Sequence, residues 1–240
     1  MTKRSLMKKL ALICLWALWL PNVAAANEAD VRLAMQKRYP DIPVESVART
    51  PIAGLYEVFT GAEVLYVDEK ASYLIVRGRL IDAASSKDLT EERMRVLTRI
   101  PFDQLPLDLA FRKALGSGAR KLAYFTDPNC PFCRKIEPDL AKLENVTIYV
   151  FLYPVLGQDS IEKAKAVWCS KDRVKAWDDL MRSRVPPKTA GTCDTPIEKI
   201  VSYGRQRGIN GTPTLIFADG LRVGGAIPYD ELKRLLDGGR

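Results

Sequence analysis

The stretch "YFTDPNCPFCRKIEPDLAKL", residues 124–143, passes from a strand-like apolar run into a helix-like run through the cysteines Cys130 and Cys133. At a helix N-terminus, unpaired backbone N–H groups and the helix dipole favour the thiolate form of Cys130. Cys133 follows one turn later, within reach to resolve a mixed disulfide on Cys130. Pro131 fits the first helical turn because it has no N–H, and Phe132 adds apolar surface. We interpret the pair as a redox centre.

Two other interpretations of the pair compete with this one. A zinc site needs Cys169 and Cys193 as further ligands, but these two residues do not form a second closely spaced pair. A structural disulfide over two intervening residues closes too small a loop to gain much entropy. The chain has no histidine, which excludes Cys-His proteases, Ser-His-Asp hydrolases and His-ligated metal sites. We expect neither a metal ion nor another cofactor.

A second motif, "GINGTPTLIF" at residues 208–217, places Thr212 and Pro213 at the start of a strand-like run. If the chain has a thioredoxin-like fold, this Thr-Pro pair would face the cysteines. A cis bond before Pro213 would expose the backbone of Thr212 for strand-like pairing with a substrate chain. Alone, the proline would be interpreted as the end of a loop before an edge strand. Together with Cys130 and Cys133, it favours a substrate-binding loop.

The first 26 residues have the order of a secretory signal peptide. A basic start, an apolar centre over residues 10–20 and the small residues 24–26 follow one another. The alternative is a membrane anchor, but the apolar run is shorter than the roughly 20 residues that a span needs. Cleavage after Ala26 would leave 33 basic and 29 acidic residues, a net charge of +4. No basic run alternates with aromatics, so we expect no nucleic-acid partner.

From residue 27 to residue 89 the pattern predicts a small α+β domain. A short amphipathic helix ends before Pro40, and strand-like runs follow, separated by turn residues. These runs are "SVARTPI" (46–52), "GLYEVFT" (54–60), "AEVLYVD" (62–68) and "SYLIVRGRLID" (72–82). A domain of this size has a thin core, and pairing of two copies through an edge strand would bury more apolar surface. We expect this domain to form a homodimer.

Residues 90–118 are predicted to be a linker of helix and loop, with Thr90 as the N-cap of its helix. From residue 119 to residue 240 the pattern is α/β: a β-α-β unit, a helical insertion and a β-β-α unit. This order predicts a thioredoxin-like domain.

The sequence has five cysteines, and removal of the predicted signal peptide takes Cys14 with it and leaves four. Of these, Cys169 and Cys193 remain once Cys130 and Cys133 are assigned to the redox centre. An even cysteine count in an exported chain favours disulfides, so we pair them by elimination. The bridge would fix the helical insertion and stabilise the fold by roughly 3 kcal/mol on the loop-entropy account. A second redox pair is the less favoured alternative.

The mature chain resembles the periplasmic disulfide isomerase family of DsbC and DsbG. The likeness rests on several motifs in the same order, among them "GLYEVFTGAEVLYVDEKASYLIVRGRLIDA", "FTDPNCPFCRK", "VWCSKDRVKAWDDLM" and "GTPTLIF". It implies a cystatin-like N-terminal dimerisation domain and a V-shaped homodimer with an apolar cleft. It also implies that Cys130 attacks, that Cys133 resolves, and that Thr212 and Pro213 form the cis-proline loop.

The resemblance implies a periplasmic enzyme that reshuffles wrong disulfides in exported proteins and that a membrane-bound reductase like DsbD keeps reduced. The family's isomerases commonly carry Gly-Tyr between the cysteines, whereas this chain has Pro131 and Phe132. That dipeptide bears on the balance between isomerase and oxidase. The alternatives of the same class are a dithiol oxidase and a reductase of oxidised single cysteines. The alternative of another class is a holdase chaperone whose dimer cleft shields apolar chains.

Overall fold

The computed structural model describes residues 27–238, so the predicted signal peptide (residues 1–26) lies outside the described residues. The N-terminal part begins with helix α1 (Glu28–Arg38). A four-stranded antiparallel sheet follows, with the spatial order β1 (Ser46–Arg49), β2 (Leu55–Phe59), β3 (Val64–Asp68) and β4 (Leu74–Ile75). The chain then forms a two-stranded ribbon, β5 (Ile81–Asp82) with β6 (Lys87–Asp88), and helix α2 (Leu89–Leu97).

Successive side chains of a strand point to opposite faces of the sheet. In the N-terminal sheet a helix covers each of these faces. Helix α1 buries Val31 and Met35 against one face. Helix α2 packs Met94 and Leu97 against the opposite face, where Phe59 is buried. Asn27 caps α1: its side chain accepts the N–H groups of residues 29 and 30, as expected for this residue type at a helix start.

Two local predictions for this part are wrong. The run over residues 72–82 is not one strand: Arg77 takes a positive φ of 57°, which interrupts the extended backbone between β4 and β5. The N-cap of α2 is Asp88, whose carboxylate accepts the N–H of Glu91 at 2.8 Å. The hydroxyl of Thr90 is engaged elsewhere, since it accepts the N–H of Leu80 at 2.7 Å.

The C-terminal part is a five-stranded mixed sheet with helices on both faces. Its strands are β7 (Phe111–Leu115), β8 (Arg120–Thr126), β9 (Val146–Leu152), β10 (Thr214–Phe217) and β11 (Arg222–Gly224). Its helices are α3 (Pro131–Ala141), α4 (Gln158–Trp168), α5 (Arg173–Ser183), α6 (Ile197–Gln206) and α7 (Tyr229–Leu236). The spatial order is β11-β10-β8-β9-β7, and only β8 and β9 are parallel.

Strand β7 falls within residues 90–118, which the sequence analysis assigned to the linker. It pairs with β9 and forms one edge of the sheet. Its buried positions alternate with exposed ones, but one of the buried residues is Lys113, which hides the strand pattern. The ammonium of Lys113 is compensated by the carboxylate of Asp178 on α5, at 2.5 Å.

Strand β8 carries the chain through the middle of this core. Leu122 and Tyr124 face the cluster that contains α3 and α5, whereas Ala123 and Phe125 face the cluster that contains α6. Phe125 stacks on Phe151 of β9 with ring centroids 4.4 Å apart. Most of β8 is therefore buried on both faces, and the segment with the two cysteines follows its carboxyl end.

Candidate active site

Cys130 lies at the N-terminus of α3, directly after the loop that follows β8. Its sulfur accepts the backbone N–H of Cys133 at 3.3 Å and so caps the helix. Both residues are buried, and neither is in a disulfide. The sulfur therefore lies at the end of α3 where backbone N–H groups have no partner within the helix.

The loop before Cys130 is fixed by Asp127, a fully buried carboxylate that the sequence analysis did not single out. It accepts the N–H of Asn129 at 2.8 Å and the hydroxyl of Ser160 at 2.8 Å. It also accepts the N–H groups of Val155 and Leu156, at 2.7 and 3.0 Å. One side chain therefore holds the loop after β8 and the loop after β9 together.

Thr212 and Pro213 lie against Cys130, although they follow it by some eighty residues. The thiol of Cys130 donates to the carbonyl oxygen of Thr212 at 3.2 Å, and the Thr212–Pro213 peptide bond is cis. A cavity of about 490 Å³ opens beside Thr212, between this loop, β11 and helix α2. The fold thus brings together the two motifs that the sequence analysis linked.

Exposed apolar side chains follow Cys130 in the chain and also lie on the loop after β9 that Asp127 holds. Phe132 is 60% exposed, and Pro131 is exposed beside it. Val155 and Leu156, on the loop held by Asp127, are 37% and 54% exposed. Only the first two were singled out from the sequence, because the second two are remote in the chain.

Cys133 is chemically distinct from Cys130. Burial raises the pKa of the Cys133 thiol to about 12, so this thiol keeps its proton at neutral pH. The hydroxyl of Thr126 and the backbone of Asp127 oppose this effect but do not cancel it. The arrangement separates an N-terminal capping sulfur from a protonated, fully enclosed one.

Cys169 and Cys193 form a disulfide with a Cα–Cα distance of 5.7 Å. Cys169 is the C-cap residue of α4, and Cys193 lies in the irregular segment between α5 and α6. The bridge therefore ties that segment to the end of α4, within the helical insertion.

Comparisons with known proteins agree with this geometry. Residues 107–239 match the thioredoxin-like domain family, and residues 22–91 match the N-terminal domain of the disulfide bond isomerase protein family. The chain is 43% identical over 210 residues to the probable thiol:disulfide interchange protein DsbC of Bordetella parapertussis, covering 87% of this chain and 74% of that protein. This chain belongs to the DsbC family.

More distant relatives give the same result. The thiol:disulfide interchange protein DsbC of Escherichia coli K12 is 28% identical over 219 residues, with 89% of each chain covered. The match to the crystal structure of a disulfide interchange protein from Neisseria gonorrhoeae covers 56% of this chain and 98% of that protein's chain. The sequence identity is 39% and the TM-score is 0.54. These matches confirm the predicted resemblance and the thioredoxin-like fold. As a DsbC-family member, the chain is a thiol–disulfide oxidoreductase of the isomerase class.

Glu137 is the feature of this DsbC-family site that the sequence analysis missed. It lies one helical turn after Cys133, with 1% of its surface exposed, and its carboxylate accepts the indole N–H of Trp177 at 2.6 Å. Burial raises the pKa of Glu137 to about 7, although Lys113 and the Trp177 hydrogen bond oppose the shift. Its spacing from Cys133 places it on the same helix face, but only the packing of α5 encloses it.

Two further findings concern the described residues alone. Between residues 27 and 238, no three acidic or cysteine side chains are grouped closely enough to hold a metal ion. In the same range, no helix has the length and apolar character needed to cross a bilayer.

Proposed function

We propose that the Cys130–Cys133 pair rearranges wrong disulfides in exported proteins, with Cys130 as the attacking group. The observation that carries this proposal is the position of the Cys130 sulfur. It caps α3 and lies 3.2 Å from the Thr212 carbonyl, beside exposed apolar surface, in a DsbC-family chain. A thiolate is the reactive form in disulfide exchange, and a helix N-terminus stabilises it.

The exchange conserves atoms and electrons without an external oxidant. The Cys130 thiolate attacks one sulfur of a client disulfide, and the other client sulfur leaves as a thiolate with the electron pair. That client thiolate either attacks a different disulfide in the same client, or Cys133 attacks the mixed disulfide and releases the client. In the first route a client thiolate finally displaces Cys130, so the enzyme ends as it began.

Client binding is assigned to residues on both sides of the sulfur. Phe132 and Pro131 offer apolar contact, which suits the unfolded segments that surround a wrong disulfide. Thr212 and Pro213 would pair with the client backbone in a strand-like manner, and a cavity opens beside Thr212.

A homodimer through the N-terminal domain is part of the proposal. Strand β4 lies at an edge of its sheet, and Tyr73, Ile75 and Val76 expose apolar side chains there. Edge strands of this kind are normally covered. Ile75→Asp should convert a dimer into a monomer in light scattering, whereas Leu33→Asp, on an exposed site of α1, should leave the dimer intact. A monomeric wild-type protein would contradict the proposal.

The domain limits and the cellular setting complete it. We place the dimerisation domain in residues 27–89, and we start the catalytic domain at β7 because that strand belongs to its sheet. Residues 1–26 would direct export to the periplasm and then be removed. There a membrane-bound dithiol reductase like DsbD would return the oxidised Cys130–Cys133 pair to the thiol form.

The assignment of the attacking sulfur can be tested by trapping. Purified Cys133→Ser, incubated with a scrambled multi-disulfide protein, should accumulate a covalent complex that disappears with a reducing agent. The matched variant Cys130→Ser keeps the other cysteine and should form none. An equal yield of complex from Cys130→Ser would refute the assigned roles.

A further inference from the structure

Three buried polar side chains lie beneath Cys133 without a part in the exchange described above. They are Tyr124 and Thr126 on β8 and Glu137 on α3, each with 1% or less of its surface exposed. Buried polar groups are almost always hydrogen-bonded. In the described part of the chain, however, the hydroxyl oxygen of Thr126 has no hydrogen-bond partner.

The hydroxyl of Tyr124 connects this set. It donates to the carbonyl oxygen of Cys133 at 3.3 Å and faces the Cys133 thiol and the Thr126 hydroxyl. On its other side it faces the carboxyl group of Glu137. The unpartnered hydroxyl of Thr126 also faces the thiol of Cys133, where it can donate to a thiolate. The hydroxyls of Thr126 and Tyr124 and the carboxyl group of Glu137 therefore form one buried polar cluster beside the Cys133 sulfur.

We propose that Glu137 accepts the proton of Cys133 when Cys133 resolves the mixed disulfide, and that the hydroxyls of Tyr124 and Thr126 relay it. The proposal rests on the function proposed above, because it concerns the second step of that exchange. Glu137 acts through the relay and does not touch the reacting sulfur atoms.

The step balances as follows. The Cys133 sulfur forms a bond to the Cys130 sulfur, the bond between Cys130 and the client sulfur breaks, and the client sulfur leaves as a thiolate with the electron pair. The proton of Cys133 is transferred to the carboxylate of Glu137. When a dithiol reductant later opens the Cys130–Cys133 disulfide, the Cys133 sulfur leaves as a thiolate and takes that proton back.

The surroundings of Glu137 fit a group that gains and loses a proton near neutral pH. Lys113 of β7 contributes positive charge and Asp178 of α5 negative charge, and these two are paired with each other at 2.5 Å. Trp177 of α5 donates to the carboxylate and stabilises the charged form. With a pKa of about 7, Glu137 is a base in the pH range where the Cys133 thiol alone stays protonated.

The test measures the reaction rates of the Cys130 and Cys133 sulfurs separately. The reduced protein is mixed with the aromatic disulfide dithiobis(nitrobenzoate), and the release of nitrothiobenzoate is followed by stopped-flow absorbance. Attack by Cys130 releases the first nitrothiobenzoate, and attack by Cys133 on the mixed disulfide releases the second. In the reduced wild-type protein the rate of the second release should rise with pH around a midpoint near 7, where Glu137 loses its proton.

Glu137→Gln should leave the first release unchanged. It should slow the second about 100-fold at pH 8, the lower end of what a positioned base contributes, and remove the midpoint. Tyr124→Phe keeps the carboxyl group but breaks the relay, so it should slow the second release in the same way. If Glu137→Gln does not fold, the second release in Tyr124→Phe tests the proton-acceptor role instead. Glu162→Gln, on an exposed part of α4, is the matched control and should behave as wild type.

The outcomes distinguish the two proposals. A wild-type protein without a fast first release would overturn the proposed function. A normal first release, with an unchanged second release and pH profile in folded Glu137→Gln or Tyr124→Phe, would overturn the proton-acceptor role alone.

Discussion

Replacing Glu137 by glutamine should make this protein more stable at alkaline pH. Glutamine has the shape of the buried glutamate and keeps a side-chain oxygen that can accept the indole N–H of Trp177. It cannot ionise. At pH 8 the wild-type protein holds a charged carboxylate in a site with 1% exposure, and the variant holds a neutral amide there.

The magnitude follows from the pKa of Glu137, which rises from 4.5 to about 7 on folding. Because the native carboxyl group holds its proton to higher pH than the unfolded one, the stabilisation is complete below about pH 4.5 and is lost as pH rises through about 7. A shift of this size corresponds to about 3 kcal/mol. The free energy of unfolding of Glu137→Gln, relative to that of wild type, should therefore increase by about 3 kcal/mol when the pH is raised from 4.5 to 8.

Urea denaturation followed by tryptophan fluorescence measures this difference, with both proteins at equal concentration and in the same redox state. Glu162→Gln, an exposed substitution, controls for the loss of one negative charge and should show almost no pH-dependent difference from wild type. The quantity to compare is the free energy of unfolding of Glu137→Gln minus that of wild type, at pH 4.5 and at pH 8. If this difference is the same at both pH values, Glu137 does not ionise in a buried site.

Three further substitutions probe the framework of the site. Replacing both Cys169 and Cys193 by alanine should lower the free energy of unfolding by about 3 kcal/mol, from loop entropy, and leave nitrothiobenzoate release intact; a loss well below 1 kcal/mol in denaturation would contradict this. Gly204→Ala places a Cβ in steric conflict with the Tyr153 ring and should cost about 1–3 kcal/mol of stability, so an unaltered denaturation midpoint would show that α6 can shift freely. Asp127→Ala leaves buried donors unpaired and should cost at least about 3 kcal/mol and slow the first nitrothiobenzoate release, whereas wild-type kinetics would show that the loop needs no anchor.

Local patterns predicted much of the catalytic domain. The run of apolar residues before Cys130, the proline at the first helical position and the cysteine spacing together predict a strand followed by a capped helix, and the structure has both. Strand β7 was not predicted, because one of its buried positions is Lys113. The charge of Lys113 is compensated by Asp178, a residue far along the chain.

The N-cap of α2 shows a different limit. Asp88 and Thr90 are both good N-cap residues, and sequence alone does not say which one has its side chain free. The tertiary contact of Thr90 with the backbone of Leu80 settles the choice.

The buried network beneath Cys133 was beyond a local pattern. Tyr124 and Glu137 are ordinary residues for a strand and a helix, and nothing in their spacing shows that α5 encloses them with Trp177. The acid is recognisable as functional only when burial and the neighbouring thiol are seen together.

The most direct test of the account is the reactivation of a scrambled multi-disulfide enzyme by the purified mature chain in a glutathione buffer. The wild-type protein should restore activity faster than the buffer alone, and Cys130→Ala should restore none beyond that background. Reactivation by Cys130→Ala at the wild-type rate would show that Cys130 is not the group that attacks client disulfides, and would contradict the mechanism at its first step.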